Sequence, residues 1–533
     1  MDRRALLTTA VALATTAACT KERGSTGAPP SGSAPATTVP SPRTSPSPPQ
    51  GSRPSPSPAR DLRALGRGLE GRLVLPDDAD YSTARQLYNT RFDSLRPAAV
   101  AYVSGPADVQ ECLRYARAHR VPVSVRSGGH SYAGHSSGDG RLVIDVSPLD
   151  RVTTGGSDAA TIGAGARLVS VYRALGARGR TLPAGSCASV GVSGLALGGG
   201  HGVTSRAYGL TCDSLTGATV VTADGQVRRI GADRDGDLFW ALRGAGHGSF
   251  GVVTELRFRT HPAPPLVVAH LSWPWRKAAA VLTAWQRWGP DQPDETWSAA
   301  HLTAGSAGGA APRLSVAVCS FGTEGTVRNA VDRLADAAGS SASSVSLRTR
   351  PHLAAMLGYA GCSTRSAEEC ALPGAVPGRS RAGALGRETY AAASDFFDRE
   401  VSAAAVRELI ARTERFTRLP TGRGEGSIQL TALGGAVNRV DPLATSFVHR
   451  RSRVLVQYLA SWAQGTAGAA ERSWLRDAHG AMRGHVSGAA YQNYADATLS
   501  GWRTAYFGPA ADRLGRLRRQ YDPEGVFAFP QSL

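Results

Sequence analysis

The chain has 533 residues, with 60 Lys+Arg against 42 Asp+Glu and a formal charge of +18. Its 42% hydrophobic content can bury a large core, which excludes a disordered or purely fibrous chain, and the length allows roughly two to four domains. Lys21 and Lys277 are the only lysines, and the arginines are scattered without a basic stripe interleaved with aromatics, so the charge does not indicate nucleic acid.

Residues 1–23 read as a signal peptide. Arg3-Arg4 precede an apolar run of 14 residues, Ala5 to Ala18, too short to span a bilayer and suited to a signal h-region. The arginine pair suggests export of a folded protein, which places the mature chain outside a bacterium or in its envelope. Cys19 follows two alanines as an acylated lipoprotein cysteine would, yet Thr16 stands where such a site usually carries Leu, so membrane anchoring through Cys19 and an ordinary cleavage region are both open. Residues 24–60 hold 11 of the 32 prolines and no acidic residue, the composition of a solvated, disordered linker that could tether a domain. Of the 7 cysteines, Cys112, Cys212 and Cys319 lie in apolar surroundings and read as buried small hydrophobes. Cys362 and Cys370 flank a short polar stretch, which in an exported chain reads as a loop-closing disulfide, with a free pair as the alternative.

The globular part opens with alternating signals. Ala98 to Val103 reads as a strand, Pro106 to His119 as an amphipathic helix with Val109, Cys112, Leu113 and Ala116 on one face, and Val121 to Val125 as a second strand. That strand runs into Arg126-Ser127-Gly128-Gly129-His130-Ser131, where paired glycines let backbone N–H groups approach a phosphate or ring closely. A denser glycine stretch follows: Gly185, Cys187, Val190, Gly191 and Gly194, then Gly198-Gly199-Gly200-His201-Gly202. No Gly-Lys-Ser/Thr follows it and no G-x-G-x-x-G opens an amphipathic helix, which excludes a P-loop and a dinucleotide fingerprint and leaves an extended cradle. A third segment runs from Asp237 through Ser249-Phe250-Gly251-Val252-Val253-Thr254.

Together these segments resemble the flavin-binding domain of the berberine bridge enzyme-like oxidases, within the vanillyl-alcohol-oxidase fold. The resemblance continues through Tyr491-Gln492-Asn493-Tyr494-Ala495-Asp496, Tyr521 to Phe527 and Gln531-Ser532-Leu533, and spans about residues 80 to 533. It implies an α+β protein: a two-lobed FAD-binding domain of the PCMH type over residues 80–262, a substrate domain over 263–485 with an antiparallel sheet flanked by helices, and a C-terminal segment, 486–533, returning to the FAD domain. No metal is implied.

The resemblance puts two covalent bonds to FAD on His130 and Cys187, and imidazole and thiolate are apt nucleophiles for an electron-poor isoalloxazine. The glycine motifs, with Arg126, Ser127, Ser131, Gly251, Val253 and Asn493, become cofactor contacts. Val190 occupies the family's oxygen-gate position, where a small residue resembles the oxygen-reactive members and a bulkier one the dehydrogenases. Strand alternation puts Leu455, Gln457 and Leu459 on one face, and the resemblance puts Gln457 on the substrate side of the flavin, although a strand glutamine can also serve only its neighbours. Tyr491 is the expected base for the substrate hydroxyl, with Tyr494 in reserve and Asn493 holding their loop. A phenol of reference pKa near 10 needs a cationic or hydrogen-bonding neighbour to serve at neutral pH. His201 stands where many relatives carry an aromatic residue, and Ser249 where Asn is commoner. The reading is an exported oxidase of a sugar or glycosylated metabolite using oxygen. A dehydrogenase with another acceptor and a wall-tethered binding protein are the alternatives.

Overall fold

The computed structural model describes residues 62–306, 311–420, 422 and 424–533; the signal segment, Cys19 and the proline-rich stretch lie outside them. The fold is α+β and consists of three main sheets.

The first sheet has the strand order Arg72–Val74, Ala99–Tyr102, Leu142–Asp145, Val123–Arg126, so it starts upstream of residue 80. Its last three strands are parallel, with Leu142–Asp145 in the middle. Ala99–Tyr102 is buried at every position, as expected of a parallel strand covered on both faces. The helix Pro106–His119 makes the crossover. Proline opens it, Arg120 ends it in the left-handed region at φ 52°, and Val109, Cys112, Leu113 and Ala116 are buried. Register pairs Arg126 with Asp145, and their side chains form a buried ion pair that anchors the end of the strand entering the Gly128-Gly129 loop.

The second sheet is antiparallel, in the order Val152–Gly155, Ala159–Gly163, Val252–Arg259, Leu215–Val221, Val227–Gly231. It forms the other lobe. Helix Ala511–Tyr521, in the C-terminal segment, returns here: Arg513 lies 4.0 Å over the Trp240 ring of helix Gly236–Ala245.

The third sheet has seven antiparallel strands: Ser344–Arg350, Leu266–Trp273, Arg313–Ser320, Thr296–Gly305, Glu425–Ala432, Val454–Ser461, Tyr390–Phe397. Alternation divides its faces. Ala300, Leu302, Ile428, Leu430, Val456 and Tyr458 pack in one core with residues of helices Ala278–Trp288, Glu324–Ala337, Ala403–Phe416 and Ala469–Met482. The opposite face carries His301, Gln429 and Gln457, which stand side by side in register across three strands. That polar row faces the two smaller lobes.

The segment between Arg350 and Tyr390 leaves the sheet and packs against both lobes. There Cys362 and Cys370 are bonded, with Cα atoms 5.9 Å apart, and cluster with Val169 and Ala188. Cys112, Cys212 and Cys319 are buried thiols. Arg206, just after the triple glycine, crosses to the sheet domain and is caged by four carbonyl oxygens, those of Thr296 at 2.8 Å, Pro290 at 3.0 Å, Leu433 and Gln292. Burying a guanidinium there costs hydration that the four acceptors offset. Replacing Arg206 by Met strands those carbonyls at roughly 1 kcal/mol each. Denaturant unfolding of Arg206→Met should therefore show a loss of about 4 kcal/mol, and no measurable loss would contradict this role.

Candidate active site

The glycine loops, the polar face of the large sheet and the C-terminal segment enclose one continuous cleft. It holds about 2340 Å³ of non-protein space, part of it open to solvent. Ser127, Gly128, Gly129, His130 and Ser131 line it from the first loop, and Cys187, Val190, Gly191, Gly194, His201 and Gly202 from the second. Gly251 and Val253 come from the second lobe, Gln457 from the sheet, and Tyr491, Asn493 and Tyr494 from the C-terminal segment.

Arg126, Gly198, Gly199 and Gly200 are not among the residues that line this cleft. Arg126 is turned into the protein, where Asp145 and the Ala84 carbonyl take its guanidinium. Gly198, Gly199 and Gly200 stand behind the cleft wall, packed against other chain segments. Their role is to permit close packing, because a Cβ on Gly198 would lie 2.2 Å from Asn493 Oδ1 and one on Gly199 2.8 Å from the Phe447 ring.

The two cradle loops touch backbone to backbone. A Cβ on Gly128 would lie 2.3 Å from the Gly191 nitrogen. This glycine-only contact brings His130 and Cys187 to the same cleft. His130 Nε2 is 3.0 Å from Ser189 Oγ, and Tyr88 stacks on the ring at 4.0 Å. Burial, reinforced by the Arg167 charge, pushes the imidazole down to about 3, so it is neutral and nucleophilic at physiological pH. Val190 is half-buried and its carbonyl accepts from the Leu168 N–H at 3.0 Å.

The phenols Tyr491, Tyr494 and Tyr132 pack together, Tyr491 edge-on to Tyr494. Tyr491 is 2% exposed, and its oxygen accepts from the Gly200 N–H at 2.9 Å and from Asn493 Nδ2 at 2.7 Å. Burial raises its pKa, while those two hydrogen bonds oppose the rise. The neighbour that a phenolic base requires is therefore a pair of N–H donors. Tyr494 Oη is 2.8 Å from His201 Nε2, and Tyr132 stacks on Tyr494 at 5.3 Å. Gln457 Nε2 donates to Tyr132 Oη at 3.0 Å, so this glutamine serves a neighbour that itself lines the cleft. His201 is pushed down to about 4 by burial, and its Nδ1 has no partner among the described residues.

Sequence reasoning passes over Tyr88, Tyr132, His247, His301 and Gln429, which also line the cleft. His301 and Gln429 extend the polar row beside Gln457. His247 sits in a glycine-rich segment, as His130 and His201 do, and that was the available signal.

The FAD-binding-domain family matches residues 97–231, and the berberine and berberine-like family matches residues 490–533. An uncharacterized FAD-linked oxidoreductase of Bacillus subtilis is 30% identical over 470 residues, 87% of this chain and 97% of that protein. The chain belongs to the berberine bridge enzyme-like FAD-linked oxidoreductases. A chitooligosaccharide oxidase of Gibberella zeae is 30% identical over 472 residues, 84% of this chain and 89% of that protein. Among solved structures, a berberine bridge enzyme-like protein of Physcomitrella patens matches with a TM-score of 0.78 at 28% identity, covering 88% of this chain and 98% of its own. The protein is thus an FAD-dependent oxidoreductase acting on a small molecule. The cleft fits that cofactor: two glycine loops meet backbone to backbone in its wall, a neutral imidazole faces it, and a buried histidine nitrogen beside the phenols has no partner among the described residues.

Proposed function

We propose that this member of the berberine bridge enzyme-like family is an exported oxidase that holds FAD covalently through His130 and Cys187. It oxidises an alcohol of a carbohydrate or glycosylated metabolite, with oxygen as acceptor and hydrogen peroxide as product. The observation that carries the reading is the meeting, in one cleft, of neutral His130 and a phenol, Tyr491, that accepts two N–H donors.

FAD, when bound, supplies the acceptor for the hydride that leaves the alcohol carbon and passes the two electrons to oxygen. Tyr491 Oη takes the hydroxyl proton, and the Gly200 and Asn493 donors stabilise the charged form of the phenol. His301, Gln429 and Gln457 offer a row of hydrogen-bonding groups on the sheet, chemistry suited to a polyhydroxyl substrate. The name of the Gibberella zeae relative, a chitooligosaccharide oxidase, supports the sugar class. Val190, small and beside the cleft, leaves oxygen room to approach. Export rests on Arg3-Arg4 and the apolar run after them, and a lipid anchor at Cys19 would hold the domain at a membrane through the proline-rich tether.

The attachment at Cys187 forms through its thiolate sulfur. Acid-precipitated holoprotein should stay yellow, and mass spectrometry should find flavin on the peptides of His130 and Cys187. Release of all the flavin into the supernatant would show that attachment is noncovalent.

Only the ionised phenol can take a proton, so the rate of flavin reduction should climb as pH rises. Burial places that limb on the alkaline side of the phenol's ordinary range unless the bound substrate and cofactor lower it. Tyr491→Phe should lack the limb and reduce flavin about 10²- to 10⁴-fold more slowly, with flavin content intact. A larger loss in Tyr494→Phe than in Tyr491→Phe, by rapid anaerobic mixing, would assign the base to Tyr494.

A further inference from the structure

We infer that His247 is a positioning residue for proton removal, acting through Asn493 to hold the amide that donates to the Tyr491 phenol oxygen. The inference rests on the reading of Tyr491 as the base.

The geometry of Asn493 leaves little choice. Its Nδ2 lies 3.0 Å from the Leu195 carbonyl and 2.7 Å from Tyr491 Oη. A backbone carbonyl can only accept, so the amide nitrogen must face Leu195. One of its hydrogens goes there and the other goes to the phenol. Oδ1 then faces His247 Nε2 at 2.7 Å, and because an amide oxygen only accepts, the imidazole must carry a proton on Nε2 and donate it. A donor on the amide oxygen polarises the amide and strengthens the N–H bond that it offers to the phenol. Gly198 is what allows the contact, since a Cβ there would come within 2.2 Å of both Asn493 Oδ1 and His247 Nε2.

The titratable groups facing this relay are few. His201 and Tyr494 lie 5.6 and 5.0 Å from the Tyr491 ring, Tyr132 and Cys212 act on the phenol from further off, and His135 neighbours His247. Burial lowers the pKa of His201, and that of His247 against the opposing hydrogen bonds to Asn493 and to the Gly194 backbone. His247 acts through its Nε2 donor to Asn493 Oδ1, and removing that donor should weaken the phenolate.

The test compares His247→Leu, which keeps apolar volume but loses the donor, with His247→Gln, whose amide nitrogen can stand in for Nε2. Flavin reduction is followed without oxygen across a pH series, and an ultraviolet titration follows phenolate formation independently of turnover. In His247→Leu the rising limb should move up by a few tenths of a pH unit, and reduction at a fixed pH below it should slow about two- to threefold, because the variant weakens the Asn493 hydrogen bond to the phenolate without deleting it. Flavin content should stay unchanged, the phenolate band missing from Tyr491→Phe should appear at higher pH, and His247→Gln should restore most of the shift. Combined with Tyr491→Phe, the His247→Leu change should add nothing. An unmoved limb in His247→Leu, an equal loss in His247→Gln, or additive losses in the double variant would each overturn the inference while leaving Tyr491 as base. An unaltered rate in Tyr491→Phe would overturn the reading of Tyr491 and this inference together.

Discussion

A turn of three glycines, Gly198 to Gly200, lies where three distant parts of the chain converge and has no room for a side chain. Gly199 and Gly200 adopt φ of 114° and 80°, a region that other residues avoid. Beside them pack Phe447, from the loop ahead of a sheet strand, Thr211, and the C-terminal Tyr491 and Asn493. The close approach does two things at once. It closes the cleft between the flavin lobes and the sheet, and it brings the Gly200 N–H within 2.9 Å of the Tyr491 oxygen. The rest of the site follows from that contact, since the phenol, the amide of Asn493 and His247 are placed by it in turn.

The cleft works by hydrogen bonds more than by fixed charge. Burial drives its titratable groups toward neutrality, lowering His130, His201 and His301 and raising Tyr132, Tyr491 and Tyr494. Neutral imidazoles suit nucleophilic attachment, and at Tyr491 the two N–H donors oppose the penalty that burial sets on the ionised phenol. The Arg126 guanidinium, at the end of the strand that enters the cradle, is neutralised by Asp145 and turned inward. Its contribution is to the shape of the loop.

Much of this is legible in the sequence where the signal is local. The helix Pro106–His119 can be read to its ends because proline opens it and its buried positions repeat with helical spacing, whereas the flanking strands differ from their expected limits by one or two residues. The cradle residues can be read as motifs because each lies in a short run whose glycines have a steric purpose. The packing role of Gly198 to Gly200 is not legible, because a glycine that admits a cofactor and one that admits another segment of chain look alike in one dimension. Tyr132 and His247 are likewise hidden, since their partners Gln457 and Asn493 lie hundreds of residues away. The polar row of His301, Gln429 and Gln457 exists only through the register of three strands.

The central claim, that the cleft transfers hydride from a sugar alcohol to flavin and then to oxygen, is tested most directly by mixing the yellow holoprotein with a series of oligosaccharides in the absence of air and recording the flavin spectrum. The account predicts that an oligosaccharide bleaches the flavin fully and that admitting air restores the colour with one hydrogen peroxide formed for each flavin. Flavin that stays oxidised with every sugar, or that bleaches and does not recover in air, would contradict it.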